Sequence, residues 1–186
     1  MIINFFIQYI THPRTTGAIL PSSKRLAFKM IEGVNFNMCN CIVELGPGTG
    51  IFTDEILKKR NANTTLILIE YNSDFYKKLK SKYSNIKNIY IINDSAENID
   101  YYINKYEINK VDYIVSGLPF ASLPKEMSES ILDKCKCVLG YKGSFIAFQY
   151  TKFKKSLINK YFKDININRE ILNIPPAYVF TCKNKL

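Results

Sequence analysis

The sequence has no apolar run that is long enough to cross a bilayer. Its N-terminal apolar segment, residues 1–10, is interrupted by Asn4 and Gln8 and stops at Thr11, far short of the roughly 20 residues that a membrane-spanning helix needs. No basic stretch precedes the segment and no small-residue cleavage site follows it, so we expect no secretory signal peptide. Internal repeats and low-complexity linkers are also lacking. With 47% hydrophobic residues, the chain is predicted to form one globular domain over residues 1–186.

Acidic residues are scarce. Sixteen Asp and Glu residues stand against 26 Lys and Arg residues, for a net charge of +10. Residues 1–31 carry +4, residues 151–186 carry +6, and the residues between them are neutral. A general lysine bias would not leave a neutral middle, so we interpret the two ends as a basic rim suited to a polyanion or an anionic lipid surface.

Histidine and cysteine give no support for a metal site. The one histidine, His12, could assist a deprotonation, but because it precedes Pro13 it is interpreted as a local hydrogen-bonding residue. The cysteines number five, and an odd number without a signal peptide argues against a disulfide framework and fits a reducing cytoplasm. The pairs Cys39/Cys41 and Cys135/Cys137 are spaced more closely than the ligand pairs of structural zinc sites usually are. We therefore predict no bound metal.

Apolar runs of strand length alternate with helical patterns along most of the chain. The predicted strands are 41–45, 65–70, 88–93, 111–116 and 143–150. The predicted helices are 51–60, 73–83, 96–106, 124–139 and 151–162. This alternation favours a parallel sheet with helices on both faces. Two more strands, 165–172 and 178–183, are predicted to pair as an antiparallel hairpin, which completes a Rossmann-like α/β sheet of seven strands within a core spanning residues 38–186.

The segment from Val43 to Gly50 carries the strongest chemical signal. It closes the first strand, opens a helix and places glycines at alternate positions, which lets the backbone approach a ligand closely. Its G-x-G-x-G spacing differs from the G-x-G-x-x-G of dinucleotide-binding proteins and disfavours a pyrophosphate cradle. Glu44, an acid at the end of an apolar strand, needs a partner, and a cationic ligand group would supply one.

Acidic residues also end the next two strands. Glu70 lies 24 positions after Gly46, where a carboxylate can accept two ribose hydroxyls. Asp94 and Ser95 offer a carboxylate and helix-start N–H groups to a purine edge, or else simply cap the next helix. Open α/β sheets bind ligands at the carboxyl ends of their strands, so the order of these acids indicates a ligand site.

With these motifs, and with residues 116–120 after the fourth strand, the sequence resembles class I S-adenosylmethionine-dependent methyltransferases over about the whole chain. The resemblance implies S-adenosylmethionine as the cofactor. It also implies that the glycines pass close to the methionine moiety, that Glu70 holds the ribose, and that Asp94 reads the adenine amino group. The cofactor-binding residues are then Glu44, Gly46, Pro47, Gly48, Gly50, Glu70, Tyr71, Asp94, Ser95 and Ser116.

Residues 17–24, 116–124 and 173–178 together resemble the bacterial phospholipid N-methyltransferases that convert phosphatidylethanolamine towards phosphatidylcholine. The ribosomal RNA adenine dimethylases are a close alternative. They use Asn-Leu-Pro-Tyr or Asn-Leu-Pro-Phe at the fourth strand, where this chain has Gly117 in the first position, and we expect no additional helical RNA-binding domain. Methylation of a small-molecule amine, or a non-enzymatic S-adenosylmethionine-binding or lipid-surface role, also stays open.

Methyl transfer from a sulfonium is an in-line displacement, and alignment supplies much of its acceleration. The motifs accordingly contain no side chain that must act as an acid or base, but the attacking amine must be neutral. The predicted catalytic residues are Ser116, Leu118, Pro119 and Tyr178. The methyltransferase resemblance implies that Ser116 lies where the methionine end meets the substrate. Tyr178 is expected to contact the ammonium through its ring or hydroxyl.

If residues 1–10 form a helix, their apolar side chains surround a narrow polar edge of Asn4 and Gln8. Such an amphipathic helix either packs on its own domain as a lid or inserts at a membrane interface. We expect residues 1–31 and residues 151–186, which we call the basic tail, to form a membrane-facing rim around the site. The predicted partners are an anionic membrane surface and a phospholipid, with RNA as the alternative and no obligate protein partner. The predicted location is cytoplasmic, at the inner membrane face.

Overall fold

Short apolar runs form strands and amphipathic runs form helices throughout the region that the computed structural model describes, residues 24–151 and 155–184. The strands are β1 (Cys41–Leu45), β2 (Thr65–Ile69), β3 (Ile89–Ile92), β4 (Val111–Ser116), β5 (Leu139–Gln149), β6 (Asp164–Glu170) and β7 (Ala177–Lys183). The helices are α1 (Lys24–Ile31), α2 (Ile51–Lys59), α3 (Ser73–Tyr83), α4 (Ile99–Lys105), α5 (Lys125–Val138) and α6 (Lys155–Tyr161). Short 3₁₀ helices at Phe36–Met38 and Ala96–Asn98 precede β1 and α4.

The seven strands form one sheet in the order β3-β2-β1-β4-β5-β7-β6. The first five strands in this order run parallel, and β7 is antiparallel to both of its neighbours. The predicted α/β fold, a seven-stranded and mostly parallel sheet with a C-terminal antiparallel hairpin, is confirmed. The direction of strand succession reverses between β1 and β4, and open α/β sheets bind ligands at such a point.

The central strands are apolar on both sides because helices cover both faces of the sheet. Val43 of β1 belongs to a buried cluster that includes Ile131 of α5. Its neighbour Ile42 faces the other way and joins a second cluster with Leu26 of α1 and Ile56 of α2. Helices α4 to α6 contribute to the first cluster and α1 to α3 to the second. Burial of each such side chain stabilises the fold by about 1.5–3 kcal/mol.

Two predicted elements differ from the observed ones for identifiable reasons. The predicted helix 96–106 is a 3₁₀ turn followed by α4, and the Ser95 side chain caps that turn by accepting a hydrogen bond from the Glu97 N–H. Strand β5 begins at Leu139 rather than at 143, because Leu139 already pairs with Val111 before a register shift between Val111 and Tyr113. The other predicted elements agree with the observed ones to within a few residues.

The predicted amphipathic helix at residues 1–10, His12, and most of the segment 17–24 lie outside the described residues. The described residues include α1, which packs on the sheet through Leu26, Ala27 and Met30. Over the described ranges, no helix combines the length and the apolar character that crossing a membrane requires.

Candidate active site

The candidate site lies where β1 and β4 end side by side, at the end of the sheet that we call the carboxyl edge. Leu45 is paired with Ser116 there. The Gly117 N–H donates to the Leu45 carbonyl at 2.8 Å, and the Gly46 N–H donates to the Ile69 carbonyl at 2.9 Å. The loops that follow β1 and β4 therefore start from fixed positions and lie close together.

The loop after β1 depends on glycine for its shape. Gly46, Gly48 and Gly50 have φ angles of 65°, 56° and 82°, in the left-handed region that favours glycine. A Cβ at Gly46 would lie 2.7 Å from Leu118 Cδ2, and a Cβ at Gly50 would lie 2.5 Å from the Tyr83 hydroxyl oxygen. At Gly48 a Cβ would meet no atom within 4 Å. Gly48 therefore borders open space from which a ligand can approach the backbone.

Contacts inside the loop and from α3 hold the glycine loop in place. The buried Pro47 accepts a hydrogen bond from the Gly50 N–H at 2.9 Å. The Tyr83 hydroxyl lies 3.1 Å from the Gly50 carbonyl and 2.8 Å from Asp54 Oδ1. Because a hydroxyl has one proton, it donates to one of these acceptors at a time. The Tyr83 side chain of α3 thus contacts both the end of the loop and the first turn of α2.

Glu44, near the end of β1, is fully buried. Its Oε2 accepts a hydrogen bond from the Thr53 hydroxyl at 2.7 Å, and its Oε1 has no partner among the described residues. Burial raises the pKa of Glu44 to about 8; the Thr53 hydrogen bond opposes this shift, and the negative charge of Glu70 adds to it. A buried carboxylate with an unpaired oxygen is costly. The site therefore favours either a proton on Glu44 or a cationic group beside it.

Glu70 directly follows β2 and is also buried. Its Oε2 accepts the Gly48 N–H at 2.9 Å, and its Oε1 accepts the Asn72 N–H at 2.8 Å. Burial raises the pKa of Glu70, and these backbone donors oppose the shift. Each carboxylate oxygen has a second lone pair. Glu70 is therefore held in one orientation and can accept hydrogen bonds from two further hydroxyl groups.

Asp94 follows β3 and is held by three donors. Its Oδ1 accepts the Ser95 N–H at 2.7 Å and the Asn98 amide at 3.0 Å, and its Oδ2 accepts the Tyr102 hydroxyl at 2.8 Å. Partial burial acts to raise the pKa of Asp94, but these hydrogen bonds outweigh it and leave the pKa below its usual range. Asp94 therefore stays an ionised acceptor. The predicted capping role of Ser95 is also present, since its hydroxyl accepts the Glu97 N–H at 3.2 Å.

A cavity of about 430 Å³ lies beside the loops after β2, β3 and β4, because Tyr71, Ser95 and Leu118 line it; Glu44, Glu70 and Asp94 themselves do not. Its volume is within the size range of sites for small molecules. Most of its wall is apolar. Its lining includes Tyr71, Ser95, Ala96, Leu118, Leu123 and Met127. Tyr71 is 67% exposed, so the cavity opens to solvent beside an aromatic ring. A flat heteroaromatic ring with a polar edge suits such a space.

The loop after β4 is fixed by a residue at the end of β5. The buried Gln149 accepts the Ala121 N–H at 3.2 Å and donates to the Leu118 carbonyl at 3.3 Å. Pro119 lies between these two contacts. The hydroxyl of Ser116, which is fully buried, accepts the Leu118 N–H at 3.2 Å. The loop that borders the cavity is therefore held at both ends.

Comparison with known families identifies the family of this chain. The model of the ribosomal RNA adenine dimethylase family matches residues 22–157. The chain belongs to the ribosomal RNA adenine dimethylase family. The predicted resemblance to class I S-adenosylmethionine-dependent methyltransferases is confirmed, and S-adenosylmethionine is the cofactor.

Two kinds of curated protein are similar to this dimethylase-family chain. An ornithine lipid N-methyltransferase of Singulisphaera acidiphila is 26% identical over 184 residues, which cover 96% of this chain and 94% of that protein. A ribosomal RNA small subunit methyltransferase A of Ureaplasma parvum serovar 3 is 31% identical over 118 residues, which cover 60% of this chain and 41% of that protein. The chain thus aligns with nearly the whole lipid enzyme and with less than half of the ribosomal RNA enzyme.

Solved structures with the same fold include two other methyltransferases. The CurJ carbon methyltransferase has a TM-score of 0.68 and 15% identity, over 88% of this chain and 54% of that chain. An rRNA methylase from Streptococcus thermophilus has a TM-score of 0.61 and 16% identity, over 89% and 99% of the two chains. At these identities the likeness establishes the shared fold of the dimethylase-family chain.

The residues at the carboxyl edge fit S-adenosylmethionine. Gly48 borders open space, Glu44 has an unpaired buried oxygen that suits a cationic group, and Glu70 is oriented with acceptor capacity left. In the dimethylase-family chain, the glycine loop would hold the methionine part and Glu70 the ribose. Asp94 and the apolar cavity would hold the adenine. These roles stay predictions, and the geometry is compatible with each of them.

Two predicted catalytic residues of the dimethylase-family chain, Ser116 and Tyr178, lie outside the wall of the cavity. Ser116 is buried with its hydroxyl bonded within its own loop. Tyr178 is half-buried on β7 opposite Gln149, and its ring centroid lies 5.7 Å from the guanidinium carbon of Arg169. Tyr178 is therefore close to the site but already contacts a cation of its own chain.

Several residues that hold the site were not predicted from the sequence, among them Gln149, Tyr83 and Tyr102. Gln149 ends a buried apolar strand, and a polar residue there is a signal that could have found it. Tyr83 and Tyr102 belong to a set of thirteen tyrosines. Nothing in their spacing separates them from tyrosines that only pack.

Proposed function

We propose that this chain is an S-adenosylmethionine-dependent N-methyltransferase that acts on the amine of a polar lipid head group. Phosphatidylethanolamine and an ornithine lipid are the candidate substrates. The observation that carries the proposal is the match to an ornithine lipid N-methyltransferase over 96% of this chain and 94% of that protein. A match over nearly the full length of both proteins extends well beyond the residues of the cofactor site.

The contacts of Gly117 support a lipid amine over an RNA adenine. In the resemblance drawn above, an Asn of the adenine dimethylases corresponds to Gly117. A Cβ at Gly117 would lie 2.6 Å from the Gly46 carbonyl oxygen, closer than real Cβ contacts allow. An Asn would therefore displace the glycine loop, and this chain offers no side-chain amide to orient an adenine amino group at that position.

In the proposed reaction the bound S-adenosylmethionine supplies the methyl group on an already activated sulfonium. The residues of the chain bind and orient. Glu70 and Asp94 fix the cofactor, and Gln149 fixes the Leu118 backbone beside the cavity. The amine must be neutral, although a primary alkyl amine has a pKa of about 10.4 in water. Apolar walls favour the neutral form, so the site needs no dedicated base.

We infer that the enzyme works at the cytoplasmic face of a membrane as a peripheral protein. The membrane-facing rim is proposed to consist of residues 1–31 and of the basic tail, residues 151–186. Residues 1–23 lie outside the described residues. Residues 151–186 carry eight basic and two acidic residues. Near an anionic surface each such charge contributes about 1 kcal/mol if it lies within a Debye length.

Methylation of adenine in ribosomal RNA is the second candidate function. It is favoured by the family match over residues 22–157 and by 31% identity to a ribosomal RNA methyltransferase over 118 residues. An assay with methyl-labelled S-adenosylmethionine and separate acceptors decides between the two functions. The acceptors are phosphatidylethanolamine vesicles, ornithine lipid vesicles, protein-free ribosomal RNA and free ethanolamine. We expect label in a lipid; label only in RNA or in ethanolamine would contradict the proposal.

A further inference from the structure

Three large apolar side chains are exposed close together on the loop between β6 and β7. This segment, residues 171–176, is called the apolar loop. Ile171, Leu172 and Ile174 are 63%, 60% and 75% exposed. Single exposed apolar residues are common on soluble proteins, but a group of them marks a surface that binds a protein, a membrane or an apolar ligand.

The apolar loop has the reverse of the usual burial pattern. Its polar residue, Asn173, is buried at 2% exposure, and its side-chain amide donates to the Pro175 carbonyl at 2.7 Å. The Leu172 N–H donates to Glu170 Oε1 at 3.0 Å. The loop backbone is therefore held by its own polar groups, with the apolar side chains pointing to solvent.

The apolar loop lies at the same carboxyl edge as the cofactor site. Strand β7 is antiparallel to β5, and Tyr178 at its start pairs with Gln149 at the end of β5. Gln149 in turn holds the loop containing Leu118, which lines the cavity. Tyr71, an exposed aromatic residue, lines the cavity at the same edge. The exposed apolar residues thus lie at the same edge of the sheet as the mouth of the site.

We propose that the apolar loop inserts into the head-group region of a lipid bilayer and holds the mouth of the site against the membrane. This inference rests on the proposed lipid substrate. A head-group amine stays at the bilayer surface, so the carboxyl edge must meet that surface for methyl transfer to occur. Apolar side chains on this edge then reach the region between head groups and acyl chains. The excess of basic residues over acidic ones in residues 151–186 suits an anionic bilayer.

The sequence contains no tryptophan, so one introduced tryptophan reports on one position. Leu172→Trp places the probe in the apolar loop. Tyr141→Trp is the matched control, because Tyr141 is 65% exposed and lies near the start of β5, at the opposite edge of the sheet. The vesicles contain phosphatidylglycerol and phosphatidylethanolamine with brominated acyl chains. We expect a blue-shifted and quenched emission for Leu172→Trp only. An unchanged Leu172→Trp emission, or equal quenching of both variants, would overturn the proposal.

A pair of double variants tests the consequence for catalysis. Ile171→Ser with Leu172→Ser removes apolar surface from the loop, and Met38→Ser with Tyr141→Ser removes similarly exposed surface elsewhere. We expect the loop variant to lose roughly tenfold or more in vesicle affinity, and to lose vesicle methylation in step. Both variants should methylate a short-chain phosphatidylethanolamine, dispersed as monomers, as wild type does. Equal vesicle affinity of the two variants would overturn the inference. If wild type methylates neither form of phosphatidylethanolamine, the comparison is repeated with ornithine lipid. Methylation of neither lipid contradicts the proposed function instead, and the tryptophan comparison still tests the loop.

Discussion

Replacement of Glu44 by Gln should change how stability depends on pH. Glu44 is fully buried, with one oxygen bonded to Thr53 and the other unpaired. Burial raises its pKa from 4.5 to about 8. Between these values the unfolded chain has released the proton and the native protein still holds it, so native stability falls as pH rises through this window. The pKa difference corresponds to about 5 kcal/mol.

The measurement is the free energy of unfolding in urea for wild type and Glu44→Gln, at about pH 5 and about pH 8.5. Gln does not titrate, so the stability of wild type relative to the variant should fall by several kcal/mol between the two conditions, with about 5 kcal/mol as the upper limit. Glu55→Gln is the control, because Glu55 is also buried but pairs with Lys58. It should keep the pH dependence that Glu44 gives to wild type. A wild-type and Glu44→Gln difference that does not vary with pH would refute the reasoning.

Three further outcomes follow from the site. Binding of the cationic cofactor at neutral pH should release about one proton from wild type and none from Glu44→Gln, as calorimetry in buffers of different ionisation enthalpy measures. Tyr102→Phe removes one of the donors to Asp94 and should weaken S-adenosylmethionine binding by roughly fivefold to tenfold; unchanged affinity would contradict the role of Asp94. Gly117→Ala places a Cβ against the Gly46 carbonyl and should weaken cofactor binding by roughly tenfold or more, whereas wild-type affinity would show that the loop yields easily.

The strand and helix order could be predicted because it depends on local patterns. Strand β1 is apolar throughout except for Glu44 and is followed by alternate glycines, so its position, its burial and the ligand site after it all follow from a few residues. The acids at 70 and 94 follow strands for the same reason. Their arrangement at one edge follows from the parallel topology.

The supporting contacts could not be predicted in this way. Gln149 reaches Ala121 across 28 positions and Tyr83 reaches Gly50 across 33 positions, and such pairings depend on how α3 and β5 pack rather than on local spacing. The Ser116 hydroxyl accepts the Leu118 N–H within its own loop, a contact that the sequence does not indicate. The exposure of the apolar loop could not be predicted either, because a run of Ile and Leu indicates burial. The loop is exposed because it connects the two strands of the hairpin at the carboxyl edge.

The central claim, that a lipid amine receives the methyl group, is tested most directly by mass spectrometry of lipids from a bacterial host that makes phosphatidylethanolamine or ornithine lipid but does not methylate either. Expression of the wild-type chain should yield lipids whose head-group fragment carries one or more added methyl groups. Expression of Glu70→Ala at the same protein level should not, because the variant lacks the carboxylate that fixes the glycine loop at Gly48. Lipids without added methyl groups, together with newly methylated adenine in the host ribosomal RNA, would contradict the claim.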